Sequence, residues 1–485
     1  MNEPQIDYSR KWLVMITVSS GIALSTIDGS IVNVAMPTLT RYFGSPFAVV
    51  QWVVLAYLLA VSTLLLSVGR LGDMIGKKPL YVAGFIVFTI GSMLCGIAPS
   101  VYWLIGFRVV QGLGGVMILA LGLAILTEAF PDQERGKALG IGGTTVSVGI
   151  VIGPILGGLL IETFSWHWIF FVNVPVGIAG SLLAIRFVSD VEPAGGQRFD
   201  YRGAIALFIS LFSLLTALTW GQDLGFGERR ILLLLANAVL FAVLFVIIER
   251  RAQQPMLDLR LFRNSRFSVG LVTGFITFVA IAGTTLLLPF YLENVLGYDP
   301  RQVGFLLATV PVSLGITAPL SGTISDRYGT RPMTLIGLVV LLLGYFALSR
   351  LTVGTSATIF ILFFLPIGIG MGLFQSPNNS AIMGSAPRGR LGIVSSTLAA
   401  TRTIGQTTGI ALLGALWASR TLAYATGMPA GGATEASAEA QAAGLHDTFL
   451  FMTLLIAVAL LIAIVTWLRG RQAQKIETAK VEPVT

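Results

Sequence analysis

GRLGDMIGKKP, residues 69–79, closes one long apolar run, and GTISDRYGTRP, residues 322–332, closes another. Gly69, Asp73, Gly76 and Pro79 stand opposite Gly322, Asp326, Gly329 and Pro332 at a constant interval of 253 residues. Four residues kept in register over that distance point to a duplicated bundle. Many secondary transporters are built this way, with the substrate site between the halves. The flanking runs are long enough to cross a bilayer, which takes roughly 20 mainly apolar residues. Working outward from the two loops, fourteen such runs can be counted in the 485 residues, the first at 12–36 and the last at 447–468.

Composition agrees: 55% of residues are hydrophobic, 11% are charged, and mean hydropathy is +0.84. These values place most of the chain in lipid, and runs of this length exclude the short alternating strands of a barrel. The expected fold is an all-α integral membrane protein with fourteen spans. The two loop copies follow the second and tenth runs, so the runs at 203–221 and 231–249 read as an insertion between two halves of six. Residues 1–190 would then form one six-helix bundle, 191–266 the inserted pair with its linkers, and 267–485 the second bundle.

The net charge of +8 could indicate a nucleic-acid binder, but most of the 31 Lys and Arg fall in the loops on the side of the N-terminus. That is the pattern of the positive-inside rule, so both termini are expected in the cytoplasm. No basic module interleaved with aromatics is present, and no nucleic-acid partner is expected. Cys95 is the sole cysteine, which rules out an internal disulfide. Arg10 and Lys11 precede a first run too long for a signal-peptide core, so it reads as an uncleaved span. No phosphate-cradling Gly-x4-Gly-Lys-Ser/Thr occurs, and the two histidines, His167 and His446, form no metal-ligand pattern. No cofactor or metal is expected. The stretch at 430–444 is a low-complexity outer loop.

Several stretches carry a resemblance. GRLGDMIGKKP resembles the loop between helices 2 and 3 of the major facilitator superfamily, and GIVIGPILGG, residues 149–158, resembles the Gly/Pro motif of its antiporters. IDGSIVNVAMP at 27–37, RVVQGLGG at 108–115, WHWIFFVNVPVG at 166–177 and TRTIGQTTGIALLG at 401–414 are similar to the fourteen-helix drug:proton antiporters of multidrug-efflux type. Met74 and His167 depart from that pattern, each standing where the family usually has Arg. The resemblance implies a major facilitator fold and export driven by a proton gradient.

Asp28 is an acid inside the first span, ~24 Å along it at 1.5 Å per residue. An intramembrane acid is costly unless paired, protonated or water-lined, so it reads as a functional group. Arg108 lies at similar depth and is its natural partner. The pair is either the proton-coupling site, which the resemblance favours, or a permanent structural ion pair. Arg402 is ~16 Å into its span, near the midplane, and reads with Asp28 as a substrate-cavity residue or as a structural donor to helix ends. Gly149, Gly153 and Gly157 form a flat stripe beside Pro154 and Gly158. The stripe allows close helix packing, and the resemblance makes it an antiporter motif. Gly69, Asp73, Gly76, Lys77, Asp326 and Arg327 in the repeated loops, with Arg135 as an ion partner for Asp73, read as a conformational gate; Lys78 adds charge. Glu128, Glu162, Asp223 and Glu293, near span ends, receive no role.

The expected function is proton-coupled export of lipophilic, mainly cationic drugs or toxic compounds by alternating access in the cell membrane. The expected partners are small substrates, protons and the bilayer, and the expected state is a monomer. Arg402 leaves open an anionic or zwitterionic substrate. The alternatives are a dedicated exporter of one endogenous lipid, siderophore or antibiotic, and more remotely a membrane sensor or intramembrane enzyme.

Overall fold

The computed structural model describes residues 10–131, 134–190, 200–252, 257–385, 391–427, 429 and 431–481. Among them there is no strand. The long helices in chain order are α1 (Lys11–Phe43), α2 (Phe47–Ile75), α3 (Lys77–Gly96), α4 (Val101–Ala129), α5 (Arg135–Thr163), α6 (Trp168–Phe187) and α7 (Tyr201–Leu224). They continue with α8 (Arg229–Arg251), α9 (Ser265–Val295), α10 (Pro300–Tyr328), α11 (Thr330–Leu348), α12 (Ala357–Gly384), α13 (Leu391–Tyr424) and α14 (Ala438–Val481). The last turn of α9, Tyr291–Val295, is π-helical.

Thirteen of these helices are long and apolar enough to cross a membrane. The helix at the remaining expected span, α13, has the length, 34 residues, but carries Arg402, Thr403, Gln406, Thr407 and Thr408 in its middle. It packs against α2, α7, α9 and α14, so its polar face need not meet lipid. At the other extreme, α8 packs chiefly on α7 and is apolar nearly all round. α14 begins at Ala438, inside the stretch read as an outer loop.

The repeat in the sequence is a repeat in the backbone. α2 and α10 both stop at a glycine in the left-handed region, Gly76 at φ +100° and Gly329 at φ +89°, and the next helix starts at the following residue. L side chains rarely adopt that conformation, which is why both copies keep glycine there. Gly76 N–H donates to the Gly72 carbonyl at 3.0 Å and Gly329 N–H to the Ser325 carbonyl at 2.8 Å, the same closing bond in each copy.

Helix α1 is central, packing on α4, α5, α6 and α9. The stripe on α5 explains the closeness of one contact. A Cβ on Gly149, Gly153 or Gly157 would collide with Thr26, Ser30 or Ile31 of α1, so the helices meet nearly backbone to backbone. Of the inserted helices, α7 lies along α2 and α13. Trp52 Nε1 donates to Thr219 Oγ1 at 3.2 Å and Gln222 Nε2 donates to Gln51 Oε1 at 3.1 Å, fixing α7 to α2.

Candidate functional site

Asp28 and Arg108 meet where α1 crosses α4, and both side chains are fully buried. Arg108 Nη1 donates to Asp28 Oδ2 at 2.7 Å and to Gln111 Oε1 at 2.5 Å, and Nε donates to the Val53 carbonyl at 2.9 Å. Gln111 Nε2 donates to Asp28 Oδ1 at 2.8 Å and also to Ser92 Oγ at 2.8 Å. Asn173 Nδ2, from α6, donates to Asp28 Oδ1 at 3.0 Å. The Tyr57 ring lies under the guanidinium, 4.4 Å from Cζ, and Cys95 Sγ donates to Gln111 Oε1 at 3.7 Å. One carboxylate thus accepts three donors from two neighbouring helices, as a buried charge requires. A proton placed on Asp28 would remove the charge that Arg108 balances and weaken each of these charge-assisted bonds, so protonation would loosen the hold of α1 on α4 and α6.

Sequence reasoning found the charged pair and missed its neutral members. Gln111 and Asn173 lay inside the quoted stretches RVVQGLGG and WHWIFFVNVPVG. The available signal was an amide side chain in the middle of an apolar helix, which seeks a partner when buried.

Arg402 lies elsewhere. It is half-buried on α13 with its Cζ 5.2 Å from the centre of the Phe278 ring of α9, and among the described residues it has no carboxylate partner. One turn and a half further along α13, Thr407 Oγ1 and Ser62 Oγ of α2 lie 3.0 Å apart.

Further contacts between the N- and C-terminal helices lie at the end of the bundle away from the chain termini. Arg41 Nη2 reaches Glu293 Oε2 at 2.5 Å, with Glu293 buried and Arg41 exposed. Arg301 N–H donates to Glu162 Oε2 at 3.3 Å. Phe47, Phe290 and Trp417 pack ring on ring, Phe47 lying 5.0 Å from each of the other two. The motif on α5 sits in this seam. A Cβ on Gly158 would strike the Pro300 carbonyl, and one on Gly304 would strike the Pro154 carbonyl. Glu293 and Glu162, given no role from sequence, therefore join helices of the first half to helices of the second.

At the terminal end the described ion pairs stay within the first half. Lys11 Nζ meets Glu134 Oε2 at 2.7 Å. Lys77 pairs with Asp73 at 3.3 Å and with Glu128, whose part was also missed. Arg135, expected beside Asp73, donates from Nε to the Thr127 carbonyl at 2.8 Å. Gly69 has open space around its α-carbon, and Asp326 and Arg327 are exposed. The side chain of Asp223 lies outside the described residues. His167 stacks on Trp166 at 3.9 Å, and burial lowers its pKa from the usual histidine value. His446 Nδ1 lies 2.6 Å from the Ser349 carbonyl.

A family model described as Major Facilitator Superfamily matches residues 18–410. The riboflavin transporter RibZ of Clostridioides difficile (strain 630) is 34% identical over 410 residues, covering 84% of this chain and 89% of that protein. The multidrug transporter protein MdtP of Bacillus subtilis (strain 168) is 31% identical over 449 residues, covering 91% of this chain and 82% of that protein. A solved structure of a bacterial homolog to the human lysosomal transporter Spinster, in an inward-facing and unoccupied conformation, aligns with a TM-score of 0.66 at 19% identity. It covers 94% of this chain and 97% of that one, a likeness of fold. With a duplicated helix–Gly–helix corner, a bundle of membrane-long helices and relatives named as transporters matched along most of its length, this chain belongs to the Major Facilitator Superfamily and is a membrane transporter of small molecules, not an enzyme.

Proposed function

We propose that this protein is a proton-coupled exporter working by alternating access, with Asp28 as the proton carrier and Arg108 as the group that exchanges partners with it. The observation that carries the reading is the enclosed carboxylate, held by Arg108, Gln111 and Asn173 from α4 and α6. Loss or gain of one proton there changes which helices α1 can grip. The same helix carries Thr26, Ser30 and Ile31 against the α5 glycines and Arg41 against Glu293, so a shift in α1 reaches the seam between the halves. Gly158 and Gly304 make that seam close-fitting, whereas at the terminal end Lys77 with Asp73 and Glu128 ties together helices of the first half alone.

The assignment of export rests on the α5 motif and on relatives such as MdtP, which is named a multidrug transporter. RibZ, named a riboflavin transporter, favours a second reading in which one dedicated compound is exported. In either case the protein works as two six-helix units, 1–190 and 267–485, bridged by the pair within 191–266, with the termini on the cytoplasmic side.

The test is dye movement in oriented vesicles under an imposed pH gradient, native protein against Asp28→Asn. Gradient-driven movement by the native protein that is lost in the variant is the expected result. Equal movement by the variant would place the proton site elsewhere.

A further inference from the structure

We infer that the transported compound carries an oxyanion group, and that Arg402, held over the Phe278 ring, receives it. This rests on the exporter reading above and names its substrate class.

The inference starts from charge. Asp28 is fully enclosed and already balanced by Arg108, and no face of its carboxylate is accessible to a cationic ligand in this conformation. Glu293 is balanced by Arg41 at the far end. Arg402 is the mid-helix charge without an opposite charge among the described residues. An uncompensated cation at that depth is costly, and such residues face the bundle interior or a wet cavity. A ligand oxyanion would offset that cost, whereas a ligand cation would add to it.

Placement supports the same conclusion. Gly405 and Gly409 press α13 onto the backbone of α9 at Phe275 and Val279 and onto the Cβ of Phe278. Thr407 meets Ser62 of α2, and Ala399 packs against the core of the first half. At ~100° per residue, Arg402 and Gln406 fall on the face of α13 between these two contacts, toward the space between the halves. The guanidinium lies over the Phe278 ring and makes no hydrogen bond among the described residues, which leaves its planar N–H groups for bidentate binding of carboxylate, sulfonate or phosphate. This departs from the lipophilic cation expected from sequence, because that expectation took Asp28 to be open to substrate.

The test uses fluorescence polarisation of 5-carboxyfluorescein and of an uncharged esterified analogue bound to the detergent-solubilised full chain. Native protein is expected to bind the anion more tightly than the ester. Arg402→Gln should weaken anion binding ~10- to 100-fold and erase the preference, and Arg402→Lys should restore a large part of it. Benzoate or phenyl phosphate should displace the anion, the stronger competitor identifying the oxyanion. Absence of saturable anion binding, a native preference for the ester, or an anion affinity unchanged in Arg402→Gln would overturn the inference. The proton-coupling reading fails separately, if Asp28→Asn vesicles still transport in response to the gradient.

Discussion

Neutralising either partner of the Asp28–Arg108 pair should cost more than neutralising both. Arg108→Gln leaves the Asp28 carboxylate buried with amide donors alone, and Asp28→Asn leaves the guanidinium buried with neutral acceptors. Breaking a buried pair in this way costs ~3–5 kcal/mol. In the double variant no charge remains. The Asn and Gln amides can bond to each other, and Gln111 and Asn173 keep an acceptor in the Asn oxygen, so the loss should fall to ~2–4 kcal/mol against a simple sum of ~6–10 kcal/mol. The coupling energy is then at least ~2 kcal/mol. Reversible unfolding in mixed detergent micelles, run on the native protein, both singles and the double, measures it. A double variant whose loss equals the sum of the singles within ~0.5 kcal/mol would mean the two groups do not interact as their 2.7 Å separation requires, and the proton-site reading would fall with it. All three variants should have lost gradient-driven transport, whatever their stability.

Two further outcomes concern the far end. Glu293→Gln removes the charge that holds Arg41 across the halves, so a cysteine introduced at Ala48, buried in this state, should react with a membrane-impermeant thiol reagent several times faster than in the native background, where fully buried Cys95 is silent; unchanged labelling would exclude the ion pair as a gate. Gly158→Val places a side chain against the Pro300 carbonyl, which is backbone and cannot swing aside, so the same Ala48 cysteine should become accessible and transport should drop at least tenfold. Normal labelling and transport would show that the seam tolerates bulk.

The spans and the charged pair were legible in the sequence for one reason: lipid makes both apolar length and a buried charge conspicuous. Helix α13 shows the limit of that signal, since a span shielded by protein can be polar and still be a span. Gln111, Asn173 and Ser92 were not legible as a cluster. Neutral polar residues are common in helices, and what unites these three is the rotation of α3, α4 and α6 about their axes, which no single helix encodes. The roles of Glu128, Glu162 and Glu293 escaped for a related reason. An acid near a span end is ordinary until its partner from another helix is placed beside it, as Lys77 and Arg41 are here. The enclosure of Asp28 was not legible either, because it depends on how closely α1, α4 and α6 pack.

Helix α7 has a consequence for how a lipid-dissolved compound could enter from the side. It covers the groove between α2 and α13, tied down by Trp52 with Thr219 and by Gln51 with Gln222, and α8 is laid outside it. Acyl chains and anything travelling among them meet two layers of helix there. On the opposite flank α5 meets α10 with none of the described helices laid outside, and Val148, Ile152, Phe305, Val312 and Ile316 are exposed along that line. The inserted pair therefore makes the bundle one-sided, with two helices laid over the α2–α13 groove and none of the described helices laid over the α5–α10 contact.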